Sequence, residues 1–292
     1  MKIGLVAVDG HHYPNLALMK LSAWHKAQGD SVEFADPMFG RYDKVYMSKV
    51  FTFSADCADY YPCQIVKAGT GYHDYTTVLP DEIEHICPDY SLYGVREAYG
   101  FLTRGCVNRC PWCIVPRKEG AIRPASPLSE FIGDKRRAVL LDNNVLASDF
   151  GLQQIEEIVR RGIAVDFNQG LDARRACDDP YILDLLARVK WIRHIRFACD
   201  NKSQLQPVIQ CVDRLIHRGV GRHRFFVYCL VTDDIADALY RINSLRELHI
   251  DPFAQPYRDF GGNTQPTREQ RRIANWCNKT SVFYSCEFQD FR

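Results

Sequence analysis

Residues 101–116 read FLTRGCVNRCPWCIVP, a strand-like segment followed at once by three closely spaced cysteines. Cys106, Cys110 and Cys113 form a C-x3-C-x2-C pattern. Thiolates this close can ligate three corners of an iron–sulfur cubane, because soft sulfur ligands favour iron–sulfur centres and zinc. A structural zinc site needs a fourth ligand, and no close Cys or His pair follows at finger-like spacing. The spacing favours a cluster with one open iron, and zinc with a remote fourth ligand stays an alternative.

The pattern downstream of this loop predicts an α/β fold. Apolar strand candidates alternate with amphipathic helix candidates at a regular pitch. The strand candidates are Tyr99–Thr103, Ala138–Asp142, Ala164–Asn168, His194–Cys199, Phe225–Val231 and Pro252–Gln255. Six strands with helices between them predict a partial (β/α)6 barrel of the TIM type. In such folds the reacting groups sit at the carboxyl ends of the strands.

A shorter run of the same alternation precedes the loop. Its strand candidates are Lys2–Val8, Ser31–Ala35, Lys44–Ser48 and Gln64–Gly71, with a helix at Leu16–Gln28. This pitch favours a small open sheet of parallel strands. We therefore predict an N-terminal domain at 1–92, the barrel at 93–260 and a C-terminal extension at 261–292.

Composition narrows the class of protein. The chain has 292 residues, of which 46% are apolar and 25% charged, a profile typical of ordinary globular proteins. The net charge of +1 gives no global attraction to nucleic acid or lipid. No apolar run approaches the roughly 20 residues of a membrane span, and the strand-like N-terminus does not resemble a secretory signal. We expect a cytoplasmic protein with no membrane partner.

The twelve cysteines do not indicate a disulfide scaffold, because such scaffolds are mainly small and secreted. Cys199, Cys211 and Cys229 lie inside apolar runs. We expect these three to be small buried hydrophobic residues. Only the trio in the loop is spaced as a ligand set.

The cysteine loop resembles the radical S-adenosylmethionine (SAM) motif, CxxxCxΦC, in which Φ is aromatic, and Trp112 occupies that position. The amino-acid sequence of the loop is similar to that of the corresponding loop in the radical methylthiotransferases. The resemblance implies that Cys106, Cys110 and Cys113 ligate a [4Fe–4S] cluster, that the open iron binds SAM, and that Trp112 lies beside the adenine. It also implies reductive cleavage of SAM to a 5′-deoxyadenosyl radical, which abstracts hydrogen from a substrate. The electron would come from a reductant such as flavodoxin or ferredoxin.

Polar residues at the ends of the predicted strands are the candidates for holding SAM. Family members often carry a Gly-Gly-Glu-like segment after the second strand, where this chain has Asp142 and Asn143. These two could accept from an ammonium or a ribose hydroxyl, and a helix N-cap and turn is an equally good explanation. The remaining candidates, which end later strands, are Gln169, Arg174, Arg196, Asp200 and Gln255. No residue is assigned as the catalytic group.

The N-terminal region resembles, in outline, the Rossmann-like domains that precede some radical SAM cores, including cobalamin-binding ones. The Asp-x-His-x-x-Gly signature that supplies a histidine to cobalt is absent. His11 and His12 follow the first predicted strand, where a turn explains them. We expect no tightly ligated cobalamin.

The sequence does not identify the substrate, and a tRNA, a peptide or a small molecule would fit. Methylthiolation is suggested only by the similarity of the loop sequence. A rival from another class is a non-catalytic zinc or iron–sulfur protein that interacts with nucleic acid. The segment Thr267–Arg272 is rich in arginine and has aromatic residues nearby, as in RNA-binding surfaces. An exposed helix packed through its aromatic side explains the same pattern.

Overall fold

The computed structural model describes residues 1–10, 13–262 and 264–291. His11 and His12, for which we expected a turn, lie outside the described residues. The structure is α/β with parallel strands, which confirms the predicted class. It divides into two compact units. The first comprises Met1–Gly100, Ser126–Arg137 and Phe260–Gly262, and the second comprises Phe101–Ala125, Ala138–Asp259 and the described part of Asn263–Arg292.

Strands and helices alternate along the first unit, numbered here in chain order. They are β1 (Lys2–Ala7), α1 (Leu16–Ala27), β2 (Ser31–Phe34), β3 (Lys44–Ser48), β4 (Gln64–Ala68), α2 (Asp81–Glu84) and β5 (Ala98–Gly100). The first four strands form a parallel sheet in the order β2-β1-β3-β4. Helix α1 begins where the Asn15 side chain accepts from the Leu18 N–H, and Gly29 follows its end with a φ of 83°.

The core of the first unit forms around its central strand. Ile3 and Leu5 of β1 are almost completely buried, and they pack against Leu18 and Leu21 of α1 and against Ile83 of α2. The other face of β1 is also covered, because Val6 packs against the cluster of Tyr42, Val45 and Met47, and burial on both faces explains the nearly continuous apolar sequence of β1.

The second unit follows the same alternation over a longer stretch. Its elements are β6 (Thr103–Arg104), α3 (Val115–Lys118), β7 (Arg123–Pro124), then, after α4 (Leu128–Phe131) of the first unit, β8 (Arg137–Leu140), α5 (Asp149–Arg161), β9 (Ala164–Phe167), α6 (Ala173–Asp178), α7 (Pro180–Arg188), β10 (Lys190–Trp191), β11 (Ile195–Ala198), α8 (Lys202–His217), β12 (Phe225–Val231), α9 (Ile235–Glu247), β13 (Asp251–Pro256), α10 (Arg268–Cys277) and α11 (Thr280–Phe283).

The strands of this unit pair in three groups. Strand β9 lies between β8 and β10, and β12 lies between β11 and β13 with parallel pairing on both sides. A parallel bridge between Leu171 and Phe197 links the chain after β9 to β11. The short strands β6 and β7 pair antiparallel. Parallel α/β architecture is thus established, and closure into a partial barrel stays a prediction.

Buried groups fix the ends of β11 and β12. Cys199, Cys211 and Cys229 are fully buried, as expected from their apolar surroundings. Arg241 of α9 is also fully buried, and its guanidinium donates to the carbonyl oxygens of Cys199 (2.6 Å) and Leu230 (2.8 Å). One helix side chain therefore holds the carboxyl ends of two neighbouring strands at a set spacing.

Across the described ranges, none of the helices combines the length and the apolar character needed to cross a membrane.

Candidate functional site

A short antiparallel neck holds the two ends of the cysteine loop together. Thr103 and Arg104 of β6 pair with Pro124 and Arg123 of β7. Just inside the neck, Gly105 takes a φ of 79°, and a Cβ at this position would collide with the carbonyl oxygen of Ala121. Only glycine meets both conditions without strain. The first cysteine of the motif therefore follows a turn of fixed geometry.

Glu119 braces this neck from inside the loop. Its carboxylate accepts from the backbone N–H of Gly105 at 2.9 Å and pairs with the Arg104 guanidinium at 3.2 Å. It also accepts from the side-chain amide of Asn143 at 2.8 Å. Asn143, a predicted SAM contact, is thus placed against the base of the loop.

The three thiols are free and partly buried. Cys106 Sγ accepts from the backbone N–H of Asn108 at 3.3 Å and from the side-chain amide of Asn144 at 3.5 Å. Burial raises the pKa of Cys110, and the neighbouring charges of Cys113 and Cys106 raise it further. Burial likewise raises the pKa of Cys113. The loop therefore brings its thiols close enough to influence one another's ionisation.

In the part of the chain that the structure describes, no three His, Cys, Asp or Glu side chains are arranged to hold a metal ion. Ligands of one tetrahedral ion must converge on a single point at about 2.3 Å. The cysteines of a cubane instead bind different iron corners. The three free thiols have the donor chemistry of a cluster or of zinc, and Cys106 also receives two N–H donors.

Asp172 links the loop to the following βα segment. It accepts from the side-chain amide of Asn108 at 2.9 Å, and Arg174 meets it with Nε at 2.9 Å and Nη2 at 2.7 Å. Burial acts to raise the pKa of Asp172, but Arg174 and Asn108 outweigh it and the pKa is lowered. The Arg174 charge also acts to lower the pKa of Cys110. Predicted residue Arg174 thus lies near the thiols, already paired with a carboxylate.

Trp112 and Asp200 connect the loop to the end of β11. Burial raises the pKa of Asp200, and the nearby Trp112 side chain offsets part of this rise. The Asp200 charge in turn contributes to the raised pKa values of Cys110 and Cys113.

A cavity of about 240 Å³ opens beside Asp200. Its walls come from the carboxyl-terminal parts of four strands and the loops that follow them: Asn168, Gln169, Ala198, Asp200, Tyr228 and Gln255. The structure therefore brings together three of the predicted residues, namely Gln169, Asp200 and Gln255. Carboxylate, amide and hydroxyl groups around one space can bind a ligand that carries several hydrogen-bonding groups.

Asp142 and Arg196 are engaged elsewhere in the same unit. The buried Asp142 carboxylate accepts from the N–H groups of Leu102 (3.2 Å) and Thr103 (2.6 Å) and from the Thr103 hydroxyl (2.7 Å). Burial raises its pKa to about 6. Arg196 forms an ion pair with Asp166. Asp142 therefore supports the strand that leads into the loop.

Sequence reasoning missed Asn108, Glu119, Asp172 and Tyr228. Asp172 carries a signal, since it is the N-cap of α6 and accepts from the Arg174 N–H. The alternation along β12 is a signal for Tyr228, because it places this polar-tipped residue on the half-buried face of the strand together with Phe226 and Leu230. For Glu119 no spacing rule applies, because its partners are set by the loop's own shape.

No protein-family model matches this chain, and a search of curated proteins finds no match either.

Proposed function

We propose that this chain is a radical SAM enzyme whose [4Fe–4S] cluster is held by Cys106, Cys110 and Cys113, with one iron open for SAM. The proposal is carried by one observation: three free, neighbouring thiols in a C-x3-C-x2-C loop lie close enough to Asp200, in the wall of a polar cavity at the strand ends, for its charge to raise the pKa values of two of them. We extend it to the fold, as a Rossmann-like first unit followed by a partial (β/α)6 barrel.

When bound, the cluster supplies an electron that cleaves the sulfonium of SAM, and the resulting 5′-deoxyadenosyl radical abstracts hydrogen from the substrate. The chain's own residues set the conditions for holding it. The N–H groups of Asn108 and Asn144 donate to Cys106 Sγ and hold the side chain in place. Arg174 adds a positive charge near Cys110.

The polar cavity is the proposed site for SAM. Its amino-acid end and ribose offer ammonium, carboxylate and hydroxyl groups, and the cavity presents complementary partners. Asp200 can accept from an ammonium or a hydroxyl, while Gln169 and Gln255 can both donate and accept. Trp112, by the resemblance, would lie against the adenine, and it is close enough to Asp200 to lower the pKa of that carboxyl.

The direct test is anaerobic reconstitution of the full chain with iron and sulfide. We expect about four irons and four sulfides per chain, as in a single cubane, and a visible absorption shoulder. Addition of SAM and dithionite should then release 5′-deoxyadenosine, measured by chromatography. Stoichiometric zinc with no nucleoside product would support the non-catalytic zinc protein instead.

A matched pair of variants tests the ligand assignment. Cys110→Ala should abolish cluster uptake with little change in circular dichroism. Cys87→Ala, at an exposed cysteine of the first unit, should leave iron content and nucleoside release unchanged. Full iron loading in Cys110→Ala would contradict the assignment. The physiological reductant, of the flavodoxin or ferredoxin kind, and the substrate, whether tRNA, peptide or small molecule, can then be screened with the loaded cytoplasmic enzyme.

A further inference from the structure

A second cavity of about 240 Å³ lies in the second unit, at the opposite end of the β11-β12-β13 sheet. Its walls come from the amino-terminal ends of the strands and from the chain around α11. The residues that matter here are His194, Phe226, Asp251, Phe253, Phe283 and Tyr284. None of them belongs to the cysteine loop or to the first cavity.

The two cavities share one face of the sheet. Phe226 and Tyr228 stand two positions apart on β12, and Phe253 and Gln255 stand two positions apart on β13. Side chains two apart along a strand lie on the same face. In each pair the first residue lines the second cavity and the second lines the first cavity. The Phe226 and Tyr228 rings, with centroids 5.4 Å apart, lie between the two spaces.

The second cavity has aromatic walls. His194 stacks on Phe226 with ring centroids 5.3 Å apart, and Phe226 and Phe253 lie 5.6 Å apart. Phe283 and Tyr284 contact each other edge to face at 5.0 Å on the side of α11. Aromatic faces carry negative potential, so such walls attract a flat apolar body and a positive charge.

Two polar groups in these walls lack a full set of partners. The Asp251 carboxylate accepts the Tyr284 hydroxyl through Oδ1 at 3.1 Å, and its charge has no ion-pair partner among the described residues. Nδ1 of His194 is buried with no hydrogen-bond partner in the same ranges. Burial and then the charge of Arg193 lower the pKa of His194, so its ring is neutral at neutral pH. The Asp251 carboxylate is therefore placed to accept from a ligand, whereas the buried Nδ1 of His194 presents almost no surface to the cavity.

We infer that this cavity binds a small organic cation, an ammonium or amidinium group on a flat apolar body, with Asp251 as counter-ion and the stacked His194 and Phe226 rings as an aromatic wall. An anion would face the Asp251 carboxylate. A neutral ligand would gain no charge-assisted hydrogen bond from Asp251. Arg193 and Arg224 also act on His194, but neither lines the cavity, and Arg224 is held by the carbonyl oxygens of Trp191 and Arg193.

The inference is independent of the cluster, so the full chain without iron is sufficient for the test. The probes are benzamidine, benzamide and benzoate, which share a ring and differ in charge. Isothermal titration should show saturable binding of benzamidine, with benzamide at least about tenfold weaker, since a charge-assisted bond is lost. Benzoate should not bind. Equal affinity for benzamidine and benzamide would overturn the inference.

Location is checked on the unaltered chain by NMR. Benzamidine should shift the resonances of Phe226, Thr280 and Tyr284 and leave those of Gln169 and Gln255 in place. Shifts confined to the latter pair would assign the cation to the first cavity and refute the inference.

Variants then test each polar group. Asp251→Asn should weaken benzamidine at least about tenfold and leave benzamide unchanged. His194→Phe, which keeps an aromatic ring against Phe226, should leave the preference for benzamidine over benzamide unchanged. Asp213→Asn, at a carboxylate whose side chain is 66% exposed on α8, is the matched control and should bind like the wild type. Unchanged benzamidine affinity in Asp251→Asn would contradict the assignment.

Discussion

Replacement of Asp142 by Asn should remove a pH dependence from the stability of the chain. The carboxylate is only 4% exposed, and burial raises its pKa from 3.8 to about 6 despite the hydrogen bonds from Thr103 and Leu102. Asn has nearly the same shape but does not titrate in this range. Differences between the two chains therefore report the ionisation of this one group.

The direction of the pKa shift sets the sign of the effect. The folded chain holds the Asp142 proton more tightly than the unfolded chain, so protonation stabilises the fold fully below the unfolded pKa of 3.8. This stabilisation is lost as the pH rises through about 6. The shift corresponds to about 3 kcal/mol. Relative to Asp142→Asn, the wild type should lose up to about 3 kcal/mol of unfolding free energy between about pH 4 and pH 7.

Urea-induced unfolding, followed by tryptophan fluorescence at a series of pH values, measures this difference. Other titrating groups are common to both chains and cancel in the subtraction. Asp213→Asn, at a mostly exposed carboxylate, should follow the wild type at every pH. A constant difference between wild type and Asp142→Asn across the range would refute the reasoning, because Asp142 would then titrate alike in the folded and unfolded chains.

Three further predictions concern the second unit. Gly105→Ala should reduce iron uptake on reconstitution, measured by iron content, because the added Cβ collides with the loop and the φ of 79° is strained. Arg241→Met should lower the urea unfolding free energy by about 3–5 kcal/mol, since it strips a buried network, whereas Arg160→Met on the surface should cost less than about 1 kcal/mol. Interaction with the neighbouring Cys211 thiol lowers the pKa of Cys177 to about 7, so iodoacetamide should label Cys177 readily at neutral pH, and Cys211→Ala should slow that labelling.

A different outcome would contradict each of these three predictions. Gly29→Ala has a similar φ of 83° but open space around the added Cβ, so equal loss of iron in that variant would point to general strain. An Arg241→Met chain as stable as Arg160→Met would show that the buried guanidinium is dispensable. Labelling of Cys177 that is indifferent to Cys211 would exclude the proposed thiol contact.

Local sequence predicted the elements well wherever local chemistry determines them. The predicted bounds of β3, Lys44–Ser48, are the observed ones, and the predicted helix Leu16–Gln28 extends one residue beyond the observed end of α1. The predicted strand Tyr99–Thr103 instead became β5 and β6, separated at Phe101 and Leu102. The Asp142 carboxylate binds the N–H groups of Leu102 and Thr103, a long-range contact that local pattern cannot reveal.

The candidate site shows the same division. Position at a strand end was enough to place Gln169, Asp200 and Gln255 around one cavity, because carboxyl ends of parallel strands meet at one edge. The Asp142 carboxylate instead binds Leu102 and Thr103, and Arg196 pairs with Asp166 while acting on the pKa of Tyr228 in the cavity wall. A strand end fixes where a side chain begins, while the available partners decide where its charged group rests.

The bond between Asn108 and Asp172 spans 64 positions along the chain, and that between Asn144 and Cys106 spans 38. Closing such distant contacts is slow compared with forming a local turn. The loop therefore acquires its braces late, after several downstream segments have emerged and docked. Metal-nucleated modules such as zinc fingers work the other way round, with the ion driving collapse of a short peptide. Here a cluster would have to be loaded into a nearly folded chain, and an excised peptide of the loop would keep Glu119 but lack the contacts from Asp172 and Asn144.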